Sequence, residues 1–246
     1  VVVRDRHGAE HVIGFDSPIC AYDLVFGFTP DTTKLRVTYS TPSTPPQVYD
    51  YDMATRERTL LRADQLPNGH DPKQYEVTRS VVEVAPGVTV PVTMLARADR
   101  DRSRPAPCLL YGYGSYGISM DCGWWSTPLA LVDRGFLFVI AHIRGGSDCG
   151  YGWYLDGKLD RKMHTFTDFI AVAEALIDRG FTDPTRLCIQ GGSAGGLLIG
   201  AVLNMRPELF AAAVAEVPFV DVVNTISDAT LPLTPMEWNE WGNPIT

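Results

Sequence analysis

The chain changes its hydrophobic rhythm near residue 75. Before that point, apolar and polar positions alternate in short runs broken by turns. Residues 34–40 alternate, a proline-rich turn is expected over 41–46, a second run covers 47–52, a turn covers 53–57, and a third run begins at 58. Strand, turn and strand at this spacing predict antiparallel sheet, such as a blade of a propeller. From about Tyr75 the pattern differs. A hairpin is predicted from 81–84 and 88–95 around Ala85-Pro86-Gly87. Continuous apolar runs follow at 108–111, 136–141, 187–189 and 212–215. Helical patterns are interleaved with them at 167–178, with Phe169, Val172, Ala173 and Leu176 on one face, and at 194–205. Such runs alternating with amphipathic helices predict a mostly parallel sheet covered on both faces. The expected division is therefore 1–74, an antiparallel β segment, and 75–246, an α/β segment.

Gly191-Gly192-Ser193-Ala194-Gly195 sits between the apolar run 187–189 and the helical pattern starting at 194. This is the G-x-S-x-G pattern in a strand-to-helix context. A serine on so sharp a turn projects its hydroxyl above the sheet, and the next backbone N–H is left free to hold an oxyanion. A plain glycine turn would match the same five residues. The strand before and the helix after favour a nucleophile at Ser193, with Ala194 supplying the N–H.

Composition narrows the classes. Apolar residues make up 45% of the 246 residues, enough for a sizeable core, and a net charge of −8 without any Lys/Arg-rich run argues against a nucleic-acid surface. No run approaches the length of a membrane span, and the opening Val1-Val2-Val3-Arg4 does not resemble a signal peptide. Five scattered cysteines without a C-x-x-C, and no N-x-S/T site, suggest free thiols in a cytoplasmic protein. Cys149, on a glycine-rich loop, has no evident base beside it. No His/Cys/Asp/Glu cluster has metal-ligand spacing, and no cofactor is expected.

Gly112-Tyr113-Gly114-Ser115-Tyr116-Gly117 matches G-x-G-x-x-G after a strand. A dinucleotide site would need a helix opening there, and residues 118–125 show no helical period. These glycines fit better as a sharp loop beside the Ser193 elbow. Arg144-Gly145-Gly146 could cradle an anion, or form a structural loop whose Arg is paired with a carboxylate; the second is favoured. The stretch 236–241, Met-Glu-Trp-Asn-Glu-Trp, is either a capped surface segment or a cation pocket. All five histidines (His7, His11, His70, His142 and His164) precede Ser193, the reverse of the usual α/β-hydrolase order. His142, at a strand end, could act as an unusual base, but a hydrogen-bonded loop histidine is favoured. His164 is expected at a surface or helix cap.

Several of these motifs together resemble the prolyl oligopeptidase family. They are residues 110–117, Arg144-Gly145-Gly146, residues 191–196, Arg206-Pro207-Glu208-Leu209-Phe210 and Glu240-Trp241-Gly242-Asn243-Pro244. Residues 217–223 and the Glu-Trp-Gly-Asn-Pro ending point to its oligopeptidase B branch. The resemblance runs over about 75–246. It implies an α/β-hydrolase domain preceded by a β-propeller, of which 1–74 would be the closing part, and cleavage of short peptides. It implies Ser193 as nucleophile and an oxyanion hole from the Ala194 N–H and the Tyr113 hydroxyl. It implies that Phe219 and Glu237 bind an Arg or Lys side chain before the scissile bond. A second acidic position of that pocket falls on Asn239, a departure from the pattern. The family's aspartate and histidine would follow Thr246, and most of the propeller would precede Val1, so the resemblance leads us to expect an internal fragment.

The expected activity is thus that of a serine peptidase acting on short peptides, with no nucleic-acid or membrane partner. An esterase or aminopeptidase-like α/β-hydrolase, or a protein that binds peptides without cleaving them, would share most of these features.

Overall fold

Proline-free alternation dictates the first ladder. In the computed structural model, which describes residues 1–5, 7–25, 29 and 31–245, β1 (Val2–Arg4) and β2 (Glu10–Val12) form a small antiparallel pair. β3 (Ala21–Leu24), β4 (Lys34–Thr41), β5 (Thr44–Asp52) and β6 (Arg58–Ala63) form a four-stranded antiparallel sheet in chain order. Buried Val37, Tyr39 and Tyr51 carry its inner face. Phe15 stacks on Tyr39 with ring centres 5.0 Å apart. The turn expected over 41–46 is shorter: only Pro42 and Ser43 turn, and Pro45 and Pro46 lie within β5. They are tolerated because the β4–β5 register shifts between Tyr39 and Thr41, so a missing N–H falls at an irregularity.

The chain divides into two compact units, Val1–Val77 with Asp121–Thr127, and Thr78–Met120 with Pro128–Thr246. Residues 121–127, which the sequence pattern places with the second segment, pack with the first. The Trp124 N–H donates to Ser40 Oγ (3.2 Å), and its ring meets His70 edge-on at 4.9 Å.

The second unit is built on a six-stranded sheet. Its strands are β7 (Tyr75–Ala85), β8 (Val88–Arg97), β9 (Cys108–Tyr111), β10 (Leu137–Ala141), β11 (Leu187–Gly192) and β12 (Ala212–Glu216). Their spatial order is β12-β11-β9-β10-β8-β7. The four strands β12, β11, β9 and β10 run parallel, and β8 joins β10 antiparallel. One row of buried residues crosses four of these strands: Ile189, Leu110, Val139 and Met94. Such rows explain the apolar runs of β9, β10 and β11, since neither face of a central strand meets water; the run at 212–215, expected to be buried as well, forms the edge strand β12 and is exposed along its length. Among the described residues, six helices accompany the sheet: α1 (Ser126–Val132), α2 (Tyr151–Leu155), α3 (Met163–Asp178), α4 (Ala194–Met205), α5 (Val222–Ser227) and α6 (Thr234–Trp241). α3 buries Phe169, Val172, Ala173 and Leu176 at its predicted apolar positions, and α4 buries Leu198, Ile199 and Val202. This is the α/β architecture expected of residues 75–246. Among the described residues, no helix is long and apolar enough to cross a membrane.

Candidate active site

Strand order assembles the site. β9, β11 and β12 are neighbouring parallel strands, so the segments leaving their carboxyl ends emerge side by side. The first carries Tyr113, the second Ser193 and the third Phe219. Gly112 N–H donates to Gln190 O (3.2 Å) and Ser193 N–H to Glu216 O (2.8 Å), which fixes each exit against the next. Ser193 C=O accepts from Phe219 N–H (3.0 Å).

Ser193 has φ +55° and ψ −118°, the strained turn that the G-x-S-x-G pattern predicts. The small neighbours are required by close approach. A Cβ on Gly191 would lie 2.4 Å from Gly195 O, and one on Gly195 would lie 2.9 Å from Gly112 O. Gly192 differs: the nearest atom to a Cβ there is 3.6 Å away. Ala194 is buried and opens α4, so its N–H has no intrahelical partner. Burial raises the pKa of the Tyr113 phenol, which therefore keeps its proton as a hydrogen-bond donor. The glycine-rich loop 112–117 enters no helix, in keeping with a steric rather than nucleotide-binding role.

A cavity of about 450 Å³ opens beside the elbow, and Tyr116, Ser193, Val217, Phe219, Leu233 and Glu237 line it. Val217 holds φ +40°, an unusual value for a β-branched residue. Glu237 Oε2 accepts from Tyr116 Oη (2.8 Å) and Trp241 Nε1 (2.7 Å). The Trp241 ring in turn meets Phe219 at 5.6 Å and Tyr116 edge-on at 5.9 Å. Burial, then the bond to Glu237, pushes the Tyr116 phenol strongly up, so it stays a donor to the carboxylate. The cavity therefore presents a fixed carboxylate among aromatic rings, next to a serine hydroxyl.

Asn239, expected at a second acidic position, is exposed and does not line this cavity. It lies two positions from Glu237 on α6, and residues so spaced do not share a helix face. The stretch 236–241 forms most of α6, a helix at the surface that exposes Met236 and Asn239 and buries Glu240. Glu240 and its neighbour Lys162 were not singled out by sequence reasoning. Glu240 Oε1 accepts from Tyr116 N–H (3.0 Å), and Lys162 Nζ stands 3.8 Å from it.

The other candidates fall outside the cavity. Arg144 is buried and forks onto Asp168, Nη2 to Oδ1 at 2.6 Å and Nε to Oδ2 at 2.8 Å, so it is a paired structural arginine rather than an anion cradle. His142 is buried with Nε2 2.8 Å from Thr93 Oγ1 and Nδ1 2.8 Å from Asp148 Oδ1, a hydrogen-bonded histidine as favoured above. His164 Nδ1 lies 2.7 Å from Asp156 O in the first turn of α3. No histidine lines the cavity. All five cysteines are free, and burial with Asp148 pushes the Cys149 thiol up, away from thiolate chemistry. Among the described residues, no group of three His, Cys, Asp or Glu is placed to hold a metal ion.

Residues 124–246 match the sequence profile of the prolyl oligopeptidase family. The chain is 42% identical over 243 residues to Protease 2 of Moraxella lacunata, covering 99% of this chain and 35% of that protein. It is 45% identical over 227 residues to dipeptidyl aminopeptidase BI of Pseudoxanthomonas mexicana, covering 91% and 31%. Among solved structures it superposes on oligopeptidase B from Leishmania major with a TM-score of 0.92 and 41% identity, covering 99% of this chain and 35% of that one. Oligopeptidase B from Trypanosoma brucei, with covalently bound antipain, gives 0.91 and 44%, covering 96% and 34%. The chain thus spans about a third of the length of the relatives it matches.

Proposed function

Because the chain belongs to the prolyl oligopeptidase family, we propose that it carries the nucleophile, the oxyanion site and the side-chain pocket of a serine peptidase that cleaves short peptides after Arg or Lys. The observation that carries the reading is the shared cavity, lined both by the strained Ser193 and by the Glu237 carboxylate. A guanidinium entering there would pair with Glu237 and stack on Phe219 or Trp241. That seats the adjoining carbonyl at Ser193 Oγ. Attack forms a C–O bond, and the negative charge developing on the carbonyl oxygen takes hydrogen bonds from the Ala194 N–H and the Tyr113 hydroxyl. Collapse breaks the C–N bond and expels the amine, which carries off the proton that the general base took from Ser193 Oγ, and the acyl-enzyme left behind is then hydrolysed by water. By resemblance, the general base comes from sequence beyond this chain. On the same basis, we read the four-stranded antiparallel sheet as propeller structure.

Glu237→Gln in the protein expressed from its complete gene is the test. It keeps the shape and removes the charge. Losing one side of a desolvated charge pair costs about 2–5 kcal/mol, so kcat/KM on an Arg-coumarin peptide should fall roughly 30-fold or more. An Ala-coumarin peptide should be nearly unaffected. Equal losses on both peptides would refute the basic pocket. The likeness to a dipeptidyl aminopeptidase makes an aminopeptidase-like action the second reading. Comparing peptides with free and blocked amino termini separates the two.

A further inference from the structure

Lys162, between the short turn Leu159–Arg161 and α3, is largely buried, with 12% of its side chain exposed, and its ammonium faces the active-site loop. Nζ donates to Gly114 O (2.6 Å) and Ser115 Oγ (2.7 Å). It stands 3.8 Å from Glu240 Oε1 and 4.9 Å over the Trp241 ring. Glu240 closes the arrangement by accepting from Tyr116 N–H (3.0 Å). The loop is therefore gripped on both sides of Ser115, once by a cation and once by that cation's carboxylate partner. Tyr113 is the residue immediately before the gripped segment. Glu240 is also three residues from Glu237 on α6, so the same pair connects the loop to the helix that carries the pocket carboxylate.

A buried ammonium is costly to keep, and its return must come from what it holds. We propose that Lys162 is a positioning residue for the peptidase reaction: with Glu240 it clamps loop 112–117 so that the Tyr113 hydroxyl stays aimed at the oxyanion. This rests on the reading of Tyr113 as an oxyanion donor. Lys162 touches no reacting atom; it acts through Tyr113.

The surroundings of Lys162 give this clamp a pH signature. Burial pulls its pKa down to about 8, against the opposing pull of Glu240. From α6 it meets Glu240 and the Trp241 ring, and from the loop only the Gly114 carbonyl and the Ser115 hydroxyl. Beyond Glu240 lies the Tyr154 phenol, itself bonded to Lys158 Nζ at 2.7 Å. As pH rises through about 8, Lys162 loses its proton and its ion pair with Glu240. The clamp then weakens and kcat falls.

The experiment is a double-mutant cycle in the protein expressed from its complete gene, read on an Arg-coumarin peptide with acylation rate-limiting. Tyr113→Phe alone should lower kcat roughly 10- to 1,000-fold with little change in KM. Lys162→Met should lower kcat at least about 10-fold, again with little change in KM. Combined, the two should cost little more than Tyr113→Phe alone, because residues acting through one another are not additive. Lys162→Arg should restore much of kcat and shift the alkaline limb upward, since a guanidinium does not deprotonate there. Thermal melts check folding. Should Lys162→Met fail to fold, Ser115→Ala, which removes one of the two loop acceptors, takes its place in the cycle. Unchanged kcat in the Lys162 or Ser115 variants, or additive losses with Tyr113→Phe, would overturn the proposal while leaving the oxyanion reading intact. Unchanged kcat in Tyr113→Phe overturns the oxyanion reading itself, and the positioning role with it.

Discussion

A left-handed backbone at Ser193 costs a non-glycine residue about 1–3 kcal/mol, and the fold must hold it there. Two neighbours bear that cost unequally. Gly191→Ala would drive a methyl to 2.4 Å from a backbone oxygen, which no side-chain shift can relieve. Gly192→Ala would place it 3.6 Å from the nearest atom, ordinary contact. Thermal melts should separate them: a loss of several degrees or more for Gly191→Ala, and a change within about 0.5 kcal/mol for Gly192→Ala. Equal melting temperatures would mean that the elbow relaxes without cost. Ser193 and its small neighbours were legible because steric demands of this kind restrict residue choice in the sequence itself. The pairing of Lys162 with Glu240 was not, since a charged residue is ordinarily read as solvated and only the fold shows Glu240 buried and Lys162 nearly so. Asn239, a motif position that comes from the resemblance alone, is exposed on α6 and is not among the residues lining the cavity.

Elements were legible where their period was strong. The parallel strands β9, β10, β11 and β12 were expected within a few residues, and α4 begins and ends where its apolar pattern does. α6 escaped notice because Pro235, Asn239 and two glutamates break any apolar stripe over its eight residues. Its helical state depends on burial of Glu240 and on the Trp238 Nε1 bond to Ile226 O (2.9 Å), both tertiary. The link between α3 and the end of β10 is also tertiary, and it has a measurable strength. Asp168 on α3 receives three donors from Arg144: the backbone N–H, Nε and Nη2. Asp168→Ala would leave a buried guanidinium short of its main partner, typically a loss of about 3–5 kcal/mol. For a chain of this size that is a drop in Tm of roughly 6–20 °C. Arg161→Ala removes an exposed pair with Asp156 and should cost under about 1 kcal/mol. Calorimetry that found the two variants alike would show that the Arg144 fork adds no more than a surface ion pair.

At the scale of the whole chain, Ser193 and the Glu237 carboxylate share one cavity, but no histidine that could serve as a base is among the described residues lining it. His142 and His164 are the two histidines in the same unit as Ser193. His142 has both ring nitrogens engaged, with Thr93 and Asp148, and His164 is bonded to the Asp156 carbonyl. Freeing His142 would leave the Asp148 carboxylate and the Thr93 hydroxyl buried with a partner lost. Recruitment of this residue as a base is therefore disfavoured energetically as well as by position. Without a base, a serine peptidase keeps only the part of its rate that comes from oxyanion stabilisation and binding, roughly 10³–10⁴ over water. The 246-residue chain, purified by itself and assayed on an Arg-coumarin peptide, should accordingly turn over several orders of magnitude below the roughly 1–10³ s⁻¹ of ordinary enzymes. His142→Ala should leave that residual rate unchanged, though it should lower the melting temperature. Ordinary turnover that disappears in His142→Ala would show instead that the buried histidine leaves Asp148 to reach Ser193. The catalytic order would then run histidine before serine, and the assignment of the base to sequence beyond this chain would have to be abandoned.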